Sequence, residues 1–190
     1  MNTIQELIPL VDENDRVIGE ANKLEVHQQG LLHRAFSVFL LRQQHKQWET
    51  LLQQRSSGKY HSGGLWTNSC CSHPYSIESI TQAGERRLQE ELGIQTPLYR
   101  VDHFIYKAHL DNGLIEHELD HVLIGFYENA PQHFNPQEVA NLLWISIEDL
   151  AQDLSHSPEK FTPWLKPALH LLQNHWAKVE EIAKLTAHSQ

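Results

Sequence analysis

The chain has 190 residues, 40% of them hydrophobic, and a formal charge of −9 at pH 7. That length and apolar content predict one globular domain, 1–190, with a full core, and exclude a disordered chain. The acidic balance, with no basic run, argues against a nucleic-acid partner, which needs clustered Lys and Arg to neutralise phosphates.

In chain order, residues 8–11 predict a short strand, Asp12 to Asp15 a turn, and residues 17–20 the returning hairpin partner. Residues 35–41 form an apolar run rich in β-branched and aromatic side chains, which predicts a buried strand. Residues 48–54 pair with it across the polar loop 43–47. A loop follows at 56–64, with Gly58, Gly63 and Gly64. Over 77–92 the spacing predicts a helix whose Ile77, Ile80, Gly84, Leu88 and Leu92 share one face, with Gly93 as the stop. Residues 98–109 and 115–127 predict two long strands around Asp111-Asn112-Gly113, and 142–145 another. From 164 to 184, Leu165, Leu169, Leu172, Trp176, Val179 and Ala183 recur at helical spacing after Thr162-Pro163. Sheet, helix, more sheet and a terminal helix predict one α/β (α+β) domain.

No apolar run approaches the ~20 residues of a membrane span. The residues after Met1 lack the basic start and apolar stretch of a signal peptide. Adjacent Cys70 and Cys71 cannot close an unstrained disulfide with each other, which fits a reducing compartment. The expected location is cytoplasmic, with no membrane partner.

The chemistry concentrates in two places. Residues 66–74 read Trp-Thr-Asn-Ser-Cys-Cys-Ser-His-Pro, and residues 116–118 read Glu-His-Glu. A thiol, an imidazole and two carboxylates are the ingredients of a metal-assisted proton-transfer site. Glu116 and Glu118, two apart on a strand, project to one face, and Asp120 extends it. Histidine with carboxylate donors suits Mn²⁺, Zn²⁺ or Mg²⁺. His27, His33 and His73 with Glu116 and Glu118 make a near-octahedral shell with one open position. Most of the other histidines, of 14 in the chain, read as surface residues. In the helix, Glu91 lies about 60° from the Leu88 direction and borders the inner face, whereas Glu90, about 160° away, points to solvent. Arg87 precedes Glu91 by one turn, the spacing of a helical salt bridge.

Residues 78–94 resemble the Nudix box, Gly-x5-Glu-x7-Arg-Glu-apolar-x-Glu-Glu-x-Gly-apolar. Ser72 replaces the first glycine and Arg87 a glutamate, which counts against ordinary Nudix pyrophosphate hydrolysis. Residues 30–39, the Trp-Thr-Asn-Ser-x-Cys-x-His-Pro stretch, the degenerate helix and Glu-x-Glu occur in the order found in type I isopentenyl-diphosphate isomerases. The resemblance runs from residue 5 to 175. It implies a Nudix fold, mixed β-sheets sandwiched by helices with a C-terminal helix. It also implies a 1,3-proton shift between isopentenyl and dimethylallyl diphosphate, through a tertiary carbocation, in isoprenoid biosynthesis.

By that resemblance Cys71 matches the active-site cysteine and Glu118 the catalytic glutamate. His27, His33, His73, Glu116 and Glu118 match the metal shell, holding one Mn²⁺, Mg²⁺ or Zn²⁺. Glu91 matches the carboxylate that helps hold a Mg²⁺ on the substrate diphosphate. Lys23, Arg55, Lys59 and Arg87 match the diphosphate-binding cations, and Tyr106 and Trp164 the aromatic residues near the alkene. Cys70 reads as a small packing residue. Glu118, beside Tyr106, is expected to protonate the double bond and Cys71, as thiolate, to take the C2 proton. The partner expected is a small isoprenoid diphosphate, and the assembly a monomer or homodimer. A Nudix hydrolase of a small diphosphate is the competing reading, and a non-catalytic metal- or diphosphate-binding module a third.

Overall fold

A computed structural model describes residues 7–187 apart from 111, 130 and 132. β1 (Leu7–Val11) and β2 (Val17–Asn22) form the first hairpin, tightened where Asp12 Oδ1 accepts from the backbone N–H of Asn14 and Arg16 at 2.9 Å. Among the described residues the sheet has nine strands, centred on β3 (His33–Gln44). β3 is apolar on both faces because both are covered. It pairs antiparallel with β4 (Gln47–Arg55) and β6 (Cys70–Ser72), and parallel with β8 (Ile115–Phe126). β5 (Trp66–Thr67) and β9 (Val139–Ser146) extend β4, while β7 (Tyr99–His109) extends β8. The turn expected at Asp111-Asn112-Gly113 joins β7 to β8, but Asp111 lies outside the described residues.

Alternation splits the core into two layers. Phe36, Val38 and Leu40 pack with Leu88 and Leu92 of α2 (Ile80–Leu92) on one face. Phe39, Leu41 and Val122 pack on the other with α3 (Ile147–His156), through Leu150, and α4 (Leu165–Asn174), through Leu165 and Leu169. Gly84 lets α2 approach the sheet: a Cβ there would sit 2.7 Å from Leu98 Cδ1 and 2.9 Å from Leu123 Cδ1. Val179 of α5 (Trp176–Ala187) closes the second layer.

The structure corrects the sequence reading in three places. α2 starts at Ile80, not 77, because Ser79 caps it by accepting from Gln82 N–H and Gln82 bonds back to the Ser79 backbone; Ile77 is 96% exposed. The terminal helix is two helices, α4 and α5. The chain bends at His175, where its Nε2 sits 3.1 Å from Asp102 Oδ2 and Trp176 packs edge-on against Trp48. Two helices went unread: α3, capped by Ser146 Oγ on Asp149 N–H, and α1 (Lys23–Gln29). α1 is capped by Asn22, which accepts from Glu25 N–H at 2.9 Å, and ends at Gly30 with φ +62°.

Candidate active site

Strand register assembles the site. His33 lies opposite Glu118 and Ala35 opposite Asp120 across the β3–β8 ladder, and Cys71 lies opposite Ser37 across β3–β6. With a period of two, these residues share one face of the sheet. Glu116, Glu118 and Asp120 are 2%, 8% and 0% exposed, so this face is interior rather than a solvated strand edge.

Three imidazoles and two carboxylates converge there. His73 Nε2 is 3.0 Å from Glu118 Oε1 and 3.2 Å from His33 Nε2, and His33 Nε2 is 3.5 Å from the same carboxylate oxygen. His27, at the end of α1, brings its Nε2 to 3.4 Å from Glu116 Oε2. Backbone carbonyls hold the outer nitrogens: Leu31 O is 2.8 Å from His33 Nδ1 and Lys23 O 2.6 Å from His27 Nδ1. A carbonyl only accepts, so the proton sits on Nδ1 and the Nε2 lone pair faces the cluster. Ligand atoms of His27, His33, His73 and Glu118 lie within 4.8 Å of one another. Glu116 Oε2 is buried without a hydrogen-bond partner among the described residues. Inward lone pairs and an orphaned carboxylate oxygen are what a divalent cation satisfies, so the donor set fits a metal ion.

Electrostatics follow the same geometry. Burial alone raises the Glu118 carboxyl, but the imidazoles of His33 and His73 beside it, with Nε2 at 3.5 and 3.0 Å, hold it well below the usual carboxylate range. Burial and the neighbouring Glu118 charge push Glu116 up. Burial lowers His73 to about 3, keeping its ring neutral. On His27 burial pulls down, and the contact with Glu116 outweighs it and raises the ring.

Beside the cluster is a cavity of about 80 Å³ lined by Cys71 and Trp164 together with Lys23, Arg55, Lys59 and Arg87. Lys23 stands 5.2 Å over the Tyr60 ring, and Lys59 pairs with Glu138. Arg55 Nη1 donates to Cys71 Sγ at 3.8 Å, and Arg87 Nη2 to Glu91 Oε1 at 2.5 Å. Arg55 Nε and Arg87 Nε are buried donors without a partner among the described residues, spare capacity that suits an anion.

Cys71 is not a resting thiolate. Burial pushes its thiol up to about 12, against the opposing pull of Arg55, so the sulfur carries its proton at neutral pH. Cys70 is fully buried in the α2 layer. Tyr106, opposite Glu118 in the β7–β8 ladder, reaches the site through its hydroxyl, which donates to Glu118 Oε2 at 2.6 Å. Trp164 is 4% exposed, and its Nε1–H donates to Thr67 Oγ1 at 3.0 Å and Asn68 Oδ1 at 3.3 Å. Glu91 stands apart from the histidine cluster: Arg87 takes one oxygen and Gln53 Nε2 the other at 2.9 Å. Glu90, 44% exposed, is held by Arg86 and Arg87, so α2 presents no cluster of unpaired carboxylates to activate water.

Sequence reasoning missed Gln53, Tyr60 and His61. His61 Nε2 lies 3.2 Å from Glu116 Oε1, and His61 groups with His27 and Glu116 as potential metal donors. Its loop has no period to mark it. Its only signal is its place two residues after Lys59.

The NUDIX domain family matches residues 31–165 of the chain. An isopentenyl-diphosphate Delta-isomerase of Serratia proteamaculans is 48% identical over 161 residues, 85% of this chain and 88% of that protein. Isopentenyl-diphosphate Delta-isomerase 2 of Photorhabdus laumondii is 42% identical over 182 residues, covering 96% and 99%. Among solved structures, DR0079 from Deinococcus radiodurans superposes with a TM-score of 0.70 at 18% identity, over 87% of this chain and 98% of that one. A MutT protein from Methanosarcina mazei gives 0.60 at 16% identity, over 75% and 94%. These two likenesses speak to fold alone.

Proposed function

From the premise that this chain belongs to the Nudix family and, within it, to the isopentenyl-diphosphate Delta-isomerases, we propose that the cavity beside the histidine–glutamate cluster is where the double bond moves. The chain is an isomerase that interconverts isopentenyl and dimethylallyl diphosphate. The observation that carries the site assignment is convergence: Cys71, Glu118 and the cations Lys23, Arg55, Lys59 and Arg87 line one small cavity.

The reaction needs a group that gives a proton to the alkene and a second that removes one from C2. Cys71 and Glu118 take these roles and exchange them between the two directions. At rest the proton is on sulfur and the Glu118 carboxylate is ionised, with the Tyr106 hydroxyl donating to it. When sulfur gives its proton up, Arg55 Nη1 at 3.8 Å stabilises the thiolate. The tertiary cation between the two transfers is positive and short-lived. The Trp164 ring offers it a π-face, and closing the cavity to water prevents its capture as an alcohol. Lys23, Arg55, Lys59 and Arg87 grip the diphosphate, whose binding energy holds the alkene between the two proton-transfer groups.

His27, His33, His73, Glu116 and Glu118 would hold one Mn²⁺, Zn²⁺ or Mg²⁺. Such an ion supplies fixed positive charge beside Glu118. A Mg²⁺ arriving with the diphosphate would use Glu91, with Arg87 yielding the oxygen it now holds.

Proton NMR of isopentenyl diphosphate in D₂O tests the assignment. The wild-type chain should convert it to deuterated dimethylallyl diphosphate, and Cys71→Ala should leave it unchanged while folding normally. Phosphate release in place of isomerisation, or a Cys71→Ala variant as active as wild type, refutes it.

A further inference from the structure

His61 touches the histidine–carboxylate cluster from outside the ligand set. His61 lies in the loop 56–64, between β4 and β5, with a side chain 7% exposed. It does not join His27, His33, His73 and Glu118; it forms a second, overlapping group with His27 and Glu116. Glu116 therefore stands between two imidazoles, Oε2 at 3.4 Å from His27 Nε2 and Oε1 at 3.2 Å from His61 Nε2. On its other side, His61 Nδ1 is 3.2 Å from Ser62 Oγ. The ionised Glu116 carboxylate only accepts, so the ring proton sits on Nε2 facing it, and the Ser62 hydroxyl donates to Nδ1. The ring is held edge-on between Tyr60, 4.4 Å away, and Trp164, 6.1 Å away. Arg55 Nη2 donates to the His61 backbone carbonyl at 3.3 Å.

We propose that His61 is a positioning residue of the metal centre: its Nε2–H bonds Glu116 Oε1, turns the other carboxylate oxygen inward, and ties the centre to the loop that carries Lys59. The inference rests on reading His27, His33, His73, Glu116 and Glu118 as the metal ligands. Its logic is that of outer hydrogen bonds around a metal site, which orient a ligating carboxylate, and whose loss typically costs about 10–100-fold in metal affinity. The geometry adds a link of its own, since the same loop carries Lys59 and its His61 carbonyl accepts from Arg55, both on the cavity wall. Metal binding and the order of the diphosphate grip are then coupled, and the coupling acts in both directions.

The test is Mn²⁺ affinity of the full chain after chelator treatment, with unbound Mn²⁺ read by electron paramagnetic resonance. Wild type should bind one ion per chain. His61→Phe keeps a ring between Tyr60 and Trp164 but lacks the N–H, and should bind about tenfold more weakly or worse, whereas His61→Gln, which keeps a donor, should stay within about threefold. Ser62→Ala retains the ring but loses the hydroxyl that donates to Nδ1, so it should fall between these two. It decides the matter if His61→Phe does not fold. Wild-type affinity in His61→Phe, or in Ser62→Ala where that variant decides, overturns the proposal. So does a second ion in wild type that disappears with His61, which would make His61 a ligand. A wild-type chain that binds no Mn²⁺ would instead remove the metal-centre reading beneath it.

Discussion

Replacing Trp164 separates its role over the substrate from its role in the core. The indole is 4% exposed, and its N–H is shared by Thr67 and Asn68, which are tied by Thr67 Oγ1 donating to Asn68 Oδ1 at 2.8 Å. Trp164→Phe removes the donor and part of the ring. Losing the hydrogen bond costs about 1 kcal/mol, and the smaller ring about 1 kcal/mol more. For a chain of this length, ~2 kcal/mol corresponds to a fall in Tm of about 4–8 °C. Trp164→Leu leaves a larger void and should cost about 3 kcal/mol, so both variants lose some stability. Turnover should divide them. A π-face over a cation in a dry site contributes ~2 kcal/mol, about thirtyfold in rate. Phe should keep kcat within a few-fold and Leu should lose about thirtyfold. The assay is kcat at a temperature where circular dichroism shows both variants folded. Equal turnover in the folded Phe and Leu variants would refute the cation-stabilising role and leave Trp164 as a core residue.

Glu118→Gln should abolish isomerisation even with Mn²⁺ or Mg²⁺ in excess, since an amide cannot exchange the proton; full rescue by added metal would reduce Glu118 to a ligand. Lys59→Ala should raise KM about 10–100-fold, the ~1.5–3 kcal/mol of a charged hydrogen bond, with the effect shrinking at high salt; a loss confined to kcat would remove Lys59 from the diphosphate grip. His121 is 1% exposed beside Asp15, and burial depresses its ring from 6.5 to about 4 despite that carboxylate. The unfolded chain binds a proton there that the folded chain excludes, so stability present above pH 6.5 is lost toward pH 4, at about 1.4 kcal/mol per pH unit. Urea midpoints between these pH values should fall less steeply for His121→Asn, and an unchanged slope would contradict the assignment.

What the sequence settles by itself is local. The alternation of 35–41 and of Glu116, Glu118 and Asp120 fixes which side chains share a face, because a strand has a period of two whatever it pairs with. Gly93 fixes the end of α2, because a left-handed residue stops a helix without outside help. The Trp-Thr-Asn-Ser-x-Cys-x-His-Pro stretch and Glu-x-Glu carry the family, and with it the expectation that His27, His33 and His73 meet those carboxylates. The cap of α1 at Asn22 and Glu25 and that of α3 at Ser146 were also local signals, too short to stand out among surrounding strands. The remainder depended on residues distant in sequence. Parallel pairing of β3 with β8 sets His33 opposite Glu118, 85 positions further on. The bend at His175 depends on Asp102 and Trp48, and the burial that keeps the Cys71 proton on sulfur depends on the fold closing around it. His61 acquires its contact with Glu116 only when a loop without periodicity folds over the cluster. Periodicity and caps are written in neighbouring residues, whereas register between distant strands, desolvation and contacts from irregular loops are set by the packed chain, so chemistry was legible in the residue types and its ionisation and geometry were not.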